Sequence, residues 1–169
     1  MRPDAKTLNQ IVRYNQTTGK LFWLHRADQR PQWNGRHAGK EAFTATDRHG
    51  YYVGSINGHS LYAHLVIYAL MTGDWAVNEV DHIDRNHQNN IWKNLRPATR
   101  QEQTRNTSSR RGSSSQYLGV SRFRDKWQAG IKINGKRKHL GVFKTEEEAA
   151  AVYIEASKST FGAFSPQLK

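Results

Sequence analysis

The chain of 169 residues has no cysteine. That absence removes disulfides, thiolate nucleophiles and every cysteine-ligated zinc site together. Any metal must then be held by Asp, Glu, His, Asn, Gln or backbone oxygen. Acid is scarce as well: 14 Asp and Glu stand against 26 Lys and Arg, a formal charge of +12 with a sequence pI near 10.2. The excess is uneven, with 12 basic against 8 acidic residues up to Thr99 and 14 against 6 beyond it. A surplus of this size favours a polyanion, of which nucleic acid is the commonest, over an acidic or neutral partner. Long apolar runs are missing too. None approaches the ~20 residues of a membrane span, and the first residues carry no signal-peptide core. The expectation is a cytoplasmic, soluble protein with no membrane contact and no obligatory protein partner. Apolar residues make up only 36%, but five Trp, seven Tyr and six Phe provide bulky anchors for a folding chain. The length suits one domain or two small ones.

Periodicity and turn chemistry set out the elements. Leu8, Ile11 and Val12 predict a helix over Lys6 to Tyr14, and the aromatic run Leu21 to Leu24 predicts a strand. Arg26 to Lys40, with Pro31, Gly35 and Gly39, predicts a loop. Gly50 to Ile56 and His59 to Ala63 flank Asn57-Gly58, a strong two-residue hairpin signal. A mostly buried helix follows from His64 and stops at Gly73.

The richest segment is Val80 to Asn106. Asp81 and His82 lie at the end of a predicted strand over Glu79 to His82. An Asn-rich loop with Asn86, Asn89 and Asn90 leads to a partner strand over Asn94 to Ala98, and Thr99 with Glu102 forms a capping box that opens a helix. Strand, loop, strand, helix is a compact ββα unit. Gln103 and Asn106 share one face of that helix. A carboxylate can hold a hard cation and an imidazole can take a proton from water. On residue chemistry alone, a metal-assisted phosphodiesterase and a polar structural loop remain equal alternatives. His64 starts a helix, where a satisfied structural histidine is the commoner case, with an active-site role as the alternative. His25, His37, His49, His59 and His87 read as surface residues.

Thr107 to Ser115 is Ser-, Arg- and Gly-rich, which marks a flexible basic linker. Beyond it, Tyr117 to Ser121, Trp127 to Ile133 and Lys138 to Phe143 predict three antiparallel strands. Thr145 caps a helix with Glu146, Glu147 and Glu148 in its first turn. Alternation along Ile131-Lys132-Ile133 puts the isoleucines under that helix and Lys132 outward.

Val-Asp-His-Ile-Asp, followed by Asn-Asn, Asn-Leu-Arg and Ala-Thr, resembles the HNH endonuclease motif in its phage-type homing-endonuclease form. Gly-Tyr-Tyr-Val, the Asn-Gly hairpin and Ala63-His64-Leu65 extend the likeness over about residues 8 to 106. The resemblance implies a ββα-metal nuclease that cuts double-stranded DNA and leaves 5′-phosphate and 3′-hydroxyl ends. It makes His82 the general base, Asp81 a ligand of a single divalent ion, and Asn94 the residue that pins the loop and orients His82. The last motif position, usually His or Asn, falls on Gln103, with Asn106 as the alternative ligand. Oxygen donors without thiolate suit Mg²⁺ or Mn²⁺ better than zinc.

Tyr117-Leu118-Gly119-Val120, Lys126 to Ile131, Leu140 to Phe143 and Thr145 to Ala150 resemble the plant ethylene-response-factor (AP-two) DNA-binding domain over about 116 to 164. That resemblance implies a sheet in the major groove, with Arg122, Arg124, Trp127, Lys132 and Arg137 in contact and Lys138 close by. Leu118, Ser121 and Gly130 replace residues usual in that family, so its base preference is not carried over. Arg105, Arg110 and Arg111 would follow backbone or minor groove, as basic arms do. The fold expected is α+β: an HNH nuclease domain over 1–106, a linker over 107–115 and a three-stranded antiparallel sheet packed on one helix over 116–169. The function expected is a metal-dependent, site-preferring nicking endonuclease. A DNA-binding regulator with a degenerate nuclease half is the alternative.

Overall fold

Asp4 accepts a hydrogen bond from the Thr7 backbone N–H at 2.8 Å and so starts α1, Ala5–Ile11. The structure, a computed structural model, describes residues 2–105, 112–162 and 165. The predicted helix to Tyr14 ends early. Val12–Asn15 is instead strand β1, paired antiparallel with β2, Lys20–Trp23, in the register Val12 to Trp23. Tertiary pairing here overrides a three-residue helical pattern, and β-branched Val12 favours the outcome. The Asn15 side chain accepts from the N–H groups of Thr17 and Thr18, which folds the turn.

The segment expected as a loop holds a helix, α2, Pro31–His37. Proline at the start of a helix loses no hydrogen bond, because that N–H has no partner within the helix. Asn34 then ties α2 back to the preceding chain: its amide donates to the Arg26 carbonyl at 2.7 Å and its oxygen accepts from the Arg26 N–H at 2.9 Å. The short strand β3, Glu41–Ala42, completes a sheet in the order β1-β2-β3.

A second sheet takes β4, Ala45–Thr46, β5, Tyr52–Ile56, and β6, His59–Tyr62, in that order. Asn57 and Gly58 have φ of 51° and 78° in its hairpin, the two positive values that such a turn needs. Helix α3, Ala63–Thr72, buries His64, Val66, Ile67 and Ala69 and ends at Gly73 in the left-handed conformation. Strands β7, Glu79–His82, and β8, Leu95–Ala98, pair antiparallel, with a 3-10 turn over Trp92–Asn94 between them. Leu8, Leu21, Ile56, Val66, Ile67 and Val80 form the centre of this core.

Helix α4, Arg100–Arg105, follows. The chain divides into two compact units, 1–99 and 100–169, and α4 falls in the second. There β9, Val120–Phe123, β10, Lys126–Ile133, and β11, Lys136–Phe143, form an antiparallel sheet in the order β11-β10-β9. Helix α5, Glu146–Phe161, opens with a full capping box between Thr145 and Glu148. Ala149, Ala150 and Tyr153 on α5 pack against Val120, Ala129 and Ile131. Ser115 joins this unit: its hydroxyl donates to Glu146 Oε1 at 2.7 Å. No helix among the described residues is long and apolar enough to cross a membrane.

Candidate active site

Strand alternation along β7 breaks at its end, where Val80, Asp81 and His82 are all buried; Asn90 of the following loop and His64 on α3 lie against His82. His82 is only 2% exposed. Its Nε2 lies 2.8 Å from Asn90 Oδ1. An amide oxygen only accepts, so Nε2 carries the proton and the lone pair sits on Nδ1. Burial pushes the His82 pKa below its ordinary value, partly opposed by the Asn90 bond. His82 is therefore a neutral imidazole at neutral pH, the state a general base requires.

Asn90 was legible only as one of several loop asparagines, yet it is the residue that fixes the tautomer of His82. It is itself 3% exposed and held from elsewhere in the chain. The Tyr14 hydroxyl donates to the Asn90 carbonyl at 2.8 Å across 76 residues of sequence. Gly19, with φ 72°, lets the β1–β2 turn approach so closely that a Cβ there would stand 2.8 Å from the Ile91 nitrogen. The signals available in the sequence were the Asn89-Asn90 pair and a turn glycine. Neither says that the two meet.

Asn94 serves the loop through Asp84. The Asp84 N–H donates to Asn94 Oδ1, and Asn94 Nδ2 donates to Asp84 Oδ1 and to the Asn89 carbonyl. Burial disfavours the Asp84 carboxylate, but bonds from Asn89, the Asn86 N–H and Asn94 outweigh it and hold its pKa below the usual value. Asn94 thus closes the loop whose far side carries Asn90.

Asp81 is 6% exposed and stands opposite Arg96 in the β7–β8 register. Arg96 donates to Asp81 Oδ2 from Nε at 3.0 Å and from Nη2 at 2.8 Å. The pair is almost fully buried, so removing one partner would strand a charge. Sequence reading missed Arg96, although Asn-Leu-Arg lay within the recognised motif.

Rings surround His82. The His64 ring is edge-on at 5.1 Å and Tyr51 lies 5.8 Å away. His87, expected at the surface, stacks on Tyr51 with centroids 3.9 Å apart and planes 9° apart. It is half-buried, and its Nδ1 lies 2.8 Å from the His49 carbonyl, to which it can only donate. The sequence could not show that the loop folds His87 back over Gly50-Tyr51. His64 is 7% exposed, and burial first, then the neighbouring His82 and His87, lower its pKa to about 3. It is a structural, uncharged ring in this wall.

The remaining expected positions all lie beyond the first unit. Gln103 lies on α4 in the second unit and is half-buried. Asn106, Arg110, Arg111 and the Arg105 side chain lie outside the described residues. On the C-terminal sheet the register sets Lys132 opposite Arg137, so those two exposed cations share the outward face. Lys138 stands opposite buried Ile131. Trp127 has the parity of Ala129 and packs on the core, with the Arg122 guanidinium 5.3 Å above its ring. Arg124 occupies the β9–β10 turn with φ 57°.

The donor set at Asp81 is one carboxylate that already holds the Arg96 guanidinium, beside the neutral His82. Among the described residues no three His, Asp or Glu side chains are grouped to hold a metal ion. One carboxylate does not make a closed zinc site, and a hard cation placed here would draw most of its ligands from water and substrate oxygen.

Residues 61–105 match the family model described as HNH endonuclease. The chain is also 37% identical over 86 residues to an uncharacterized HNH endonuclease of Acanthamoeba polyphaga mimivirus, a match that covers 50% of this chain and 44% of the relative. The chain thus spans less than half the length of that relative. No solved structure matches it. The stretch from β6 to α4 is thus similar in sequence to an HNH endonuclease domain. The family match ends at residue 105 and lends no support to the ethylene-response-factor likeness expected over about 116–164.

Proposed function

We propose that the protein is a metal-dependent HNH endonuclease that nicks double-stranded DNA at preferred sites. The observation that carries this reading is the buried, neutral His82, held through Nε2–H by Asn90 at the end of the strand that also bears Asp81. His82 accepts the proton of the attacking water on Nδ1, and Asn90 stabilises the imidazolium that results. Asn94 keeps the loop closed by bonding Asp84 and the Asn89 carbonyl. Asp81 and Gln103, or Asn106 in its stead, would hold Mg²⁺ or Mn²⁺. When bound, the ion supplies charge stabilisation at the scissile phosphate and the leaving 3′ oxygen. Arg96 keeps Asp81 oriented and partly neutralises it.

The C-terminal sheet would grip the duplex. Its exposed cations Arg122, Arg124, Lys132, Arg137 and Lys138 would neutralise phosphate, and Arg105, Arg110 and Arg111 would follow backbone or minor groove. Bidentate arginine can read guanine edges, whereas lysine mainly tracks phosphate. The competing reading is a DNA-binding regulator with an inactive nuclease half. It draws on the guanidinium already seated on Asp81 and on Gln103 in place of His or Asn.

A supercoiled plasmid assay in Mg²⁺ separates the two. Open-circle product from the wild type, absent with His82→Ala and with chelator, supports the nuclease. Direct conversion to linear DNA would refute nicking. Two inert proteins that both still shift DNA would establish the regulator.

A further inference from the structure

A cavity of about 340 Å³ lies in the N-terminal unit away from His82, lined by Trp23, Arg26, Gln29, Trp33, Ser55 and Asn57 among others. Its walls are rings and planar polar groups with the Ser55 hydroxyl and Gly58, and include no aliphatic side chain and no carboxylate. Trp23 and Trp33 meet edge to face at 5.6 Å and 77°, and His37 lies 4.8 Å from Trp33. The Arg26 guanidinium carbon stands 5.7 Å from the Trp33 ring centre. Although Arg26 is a cation, it is 9% exposed. Asp28 grips it through two bonds, Nε to Oδ1 at 3.0 Å and Nη2 to Oδ2 at 2.6 Å, and Nη2 also donates to Asn57 Oδ1 at 3.0 Å.

The walls are fixed before any ligand arrives. Trp23 stacks on Phe43 at 6.0 Å, and Phe43 keeps a left-handed φ of 59° that a bulky residue rarely adopts. The Phe43 ring fills the space where a Cβ on Gly54 would stand, 2.8 Å from its atoms. Helix α2 fully buries none of its own residues, and Trp33 and His37 on it are half-buried.

We propose that this cavity is a subsite for an unpaired nucleobase of the DNA strand, an assignment that rests on DNA as the substrate class. Indole, imidazole and guanidinium planes are surfaces on which a base stacks irrespective of sequence. The Gln29 and Asn57 amides and the Ser55 hydroxyl offer hydrogen bonds to a base edge. A lipid or an aliphatic side chain would find no matching wall, and the chain's charge of +12 favours the strand that carries the base. Asn57 lies at the turn of the β5–β6 hairpin, whose other end carries Tyr51 beside His82. Six residues of strand place the two roughly 20 Å apart. The subsite therefore takes a base some distance along the strand from the cut, not one that flanks the scissile bond.

The test compares a short single-stranded oligodeoxynucleotide with the same strand made abasic, bound to the full chain and to Trp33→Ala. The intact strand should bind the wild type about 5- to 150-fold more tightly than the variant, the range one stacked base is worth. The abasic strand should bind both equally, and Trp33→Phe should retain most of the difference. If Trp33→Ala does not fold, His37→Ala carries the same comparison with a smaller loss. Equal losses on both strands, no loss, or no binding by the wild type each overturn the subsite. A Trp33-dependent preference confined to a ribo-oligonucleotide overturns the assignment to DNA. Plasmid nicking by the wild type and His82→Ala runs in parallel. Nicking without a Trp33-dependent base effect sinks the subsite alone, and the converse result sinks the nuclease alone.

Discussion

Replacing His64 by phenylalanine should remove a large part of the acid sensitivity of the N-terminal unit. Burial lowers the His64 pKa from an unfolded value of 6.5 to about 3. Between those two values the unfolded chain binds a proton at this position that the folded chain does not. Stability is therefore intact above about pH 6.5 and falls as pH drops toward 3, at about 1.4 kcal/mol per pH unit. Between pH 7 and pH 5 the loss from this residue comes to about 2 kcal/mol. Phenylalanine keeps a ring against Tyr51, Tyr62 and His82 but cannot be protonated. Denaturant titrations followed by tryptophan fluorescence suit the purpose, since Trp23, Trp33, Trp75 and Trp92 all lie in this unit. Other groups titrate over the same range, so the informative quantity is the difference between wild type and variant. That difference should move by about 2 kcal/mol in the variant's favour from pH 7 to pH 5. Parallel curves would refute the claim that His64 is buried uncharged.

Three other outcomes follow from the same geometry. Asn90→Ala leaves the buried Nε2–H of His82 without its acceptor, a cost of about 1–3 kcal/mol in stability. Nicking should fall with it, while Tyr14→Phe, which removes only the outer bond, should have a smaller effect; equal rates in wild type and Asn90→Ala would count against the orienting role. Gly19→Ala brings a Cβ against the backbone of Asn90 and Ile91 at a positive φ, so it should destabilise by more than the ~1 kcal/mol of an ordinary glycine change, and a neutral melting profile would contradict that close approach. Replacing Arg122 and Arg124 by alanine should lower the salt dependence of duplex binding by about one unit of slope for each phosphate no longer neutralised; an unchanged slope means that these residues do not touch phosphate.

Local chemistry was readable wherever neighbours in sequence are neighbours in space. Asn57-Gly58 makes its hairpin, Gly73 ends α3, and Thr145 with Glu148 forms the capping box of α5. Lys132 points outward between Ile131 and Ile133, as two-residue alternation requires. Reading failed where a short segment takes its structure from a distant partner. Val12–Asn15 is a strand because β2 is there to pair with it, and α2 forms because Asn34 clasps Arg26.

The sequence by itself determined the chemical inventory: no thiolate, a basic surplus, and a carboxylate beside an imidazole at a strand end in a pattern that matches an HNH endonuclease over 61–105. It also determined that an asparagine-rich loop lies next to them. Which asparagine serves His82 was decided only in three dimensions. Hydrogen-bond direction depends on where two chains cross, and Tyr14, Gly19 and Asn90 meet although at least 70 residues separate the first two from the third. The same holds for Arg96 on Asp81 and for His87 over Tyr51. Residue types supply a base and a carboxylate, but the tautomer of that base and the charge seated on that carboxylate are set by packing.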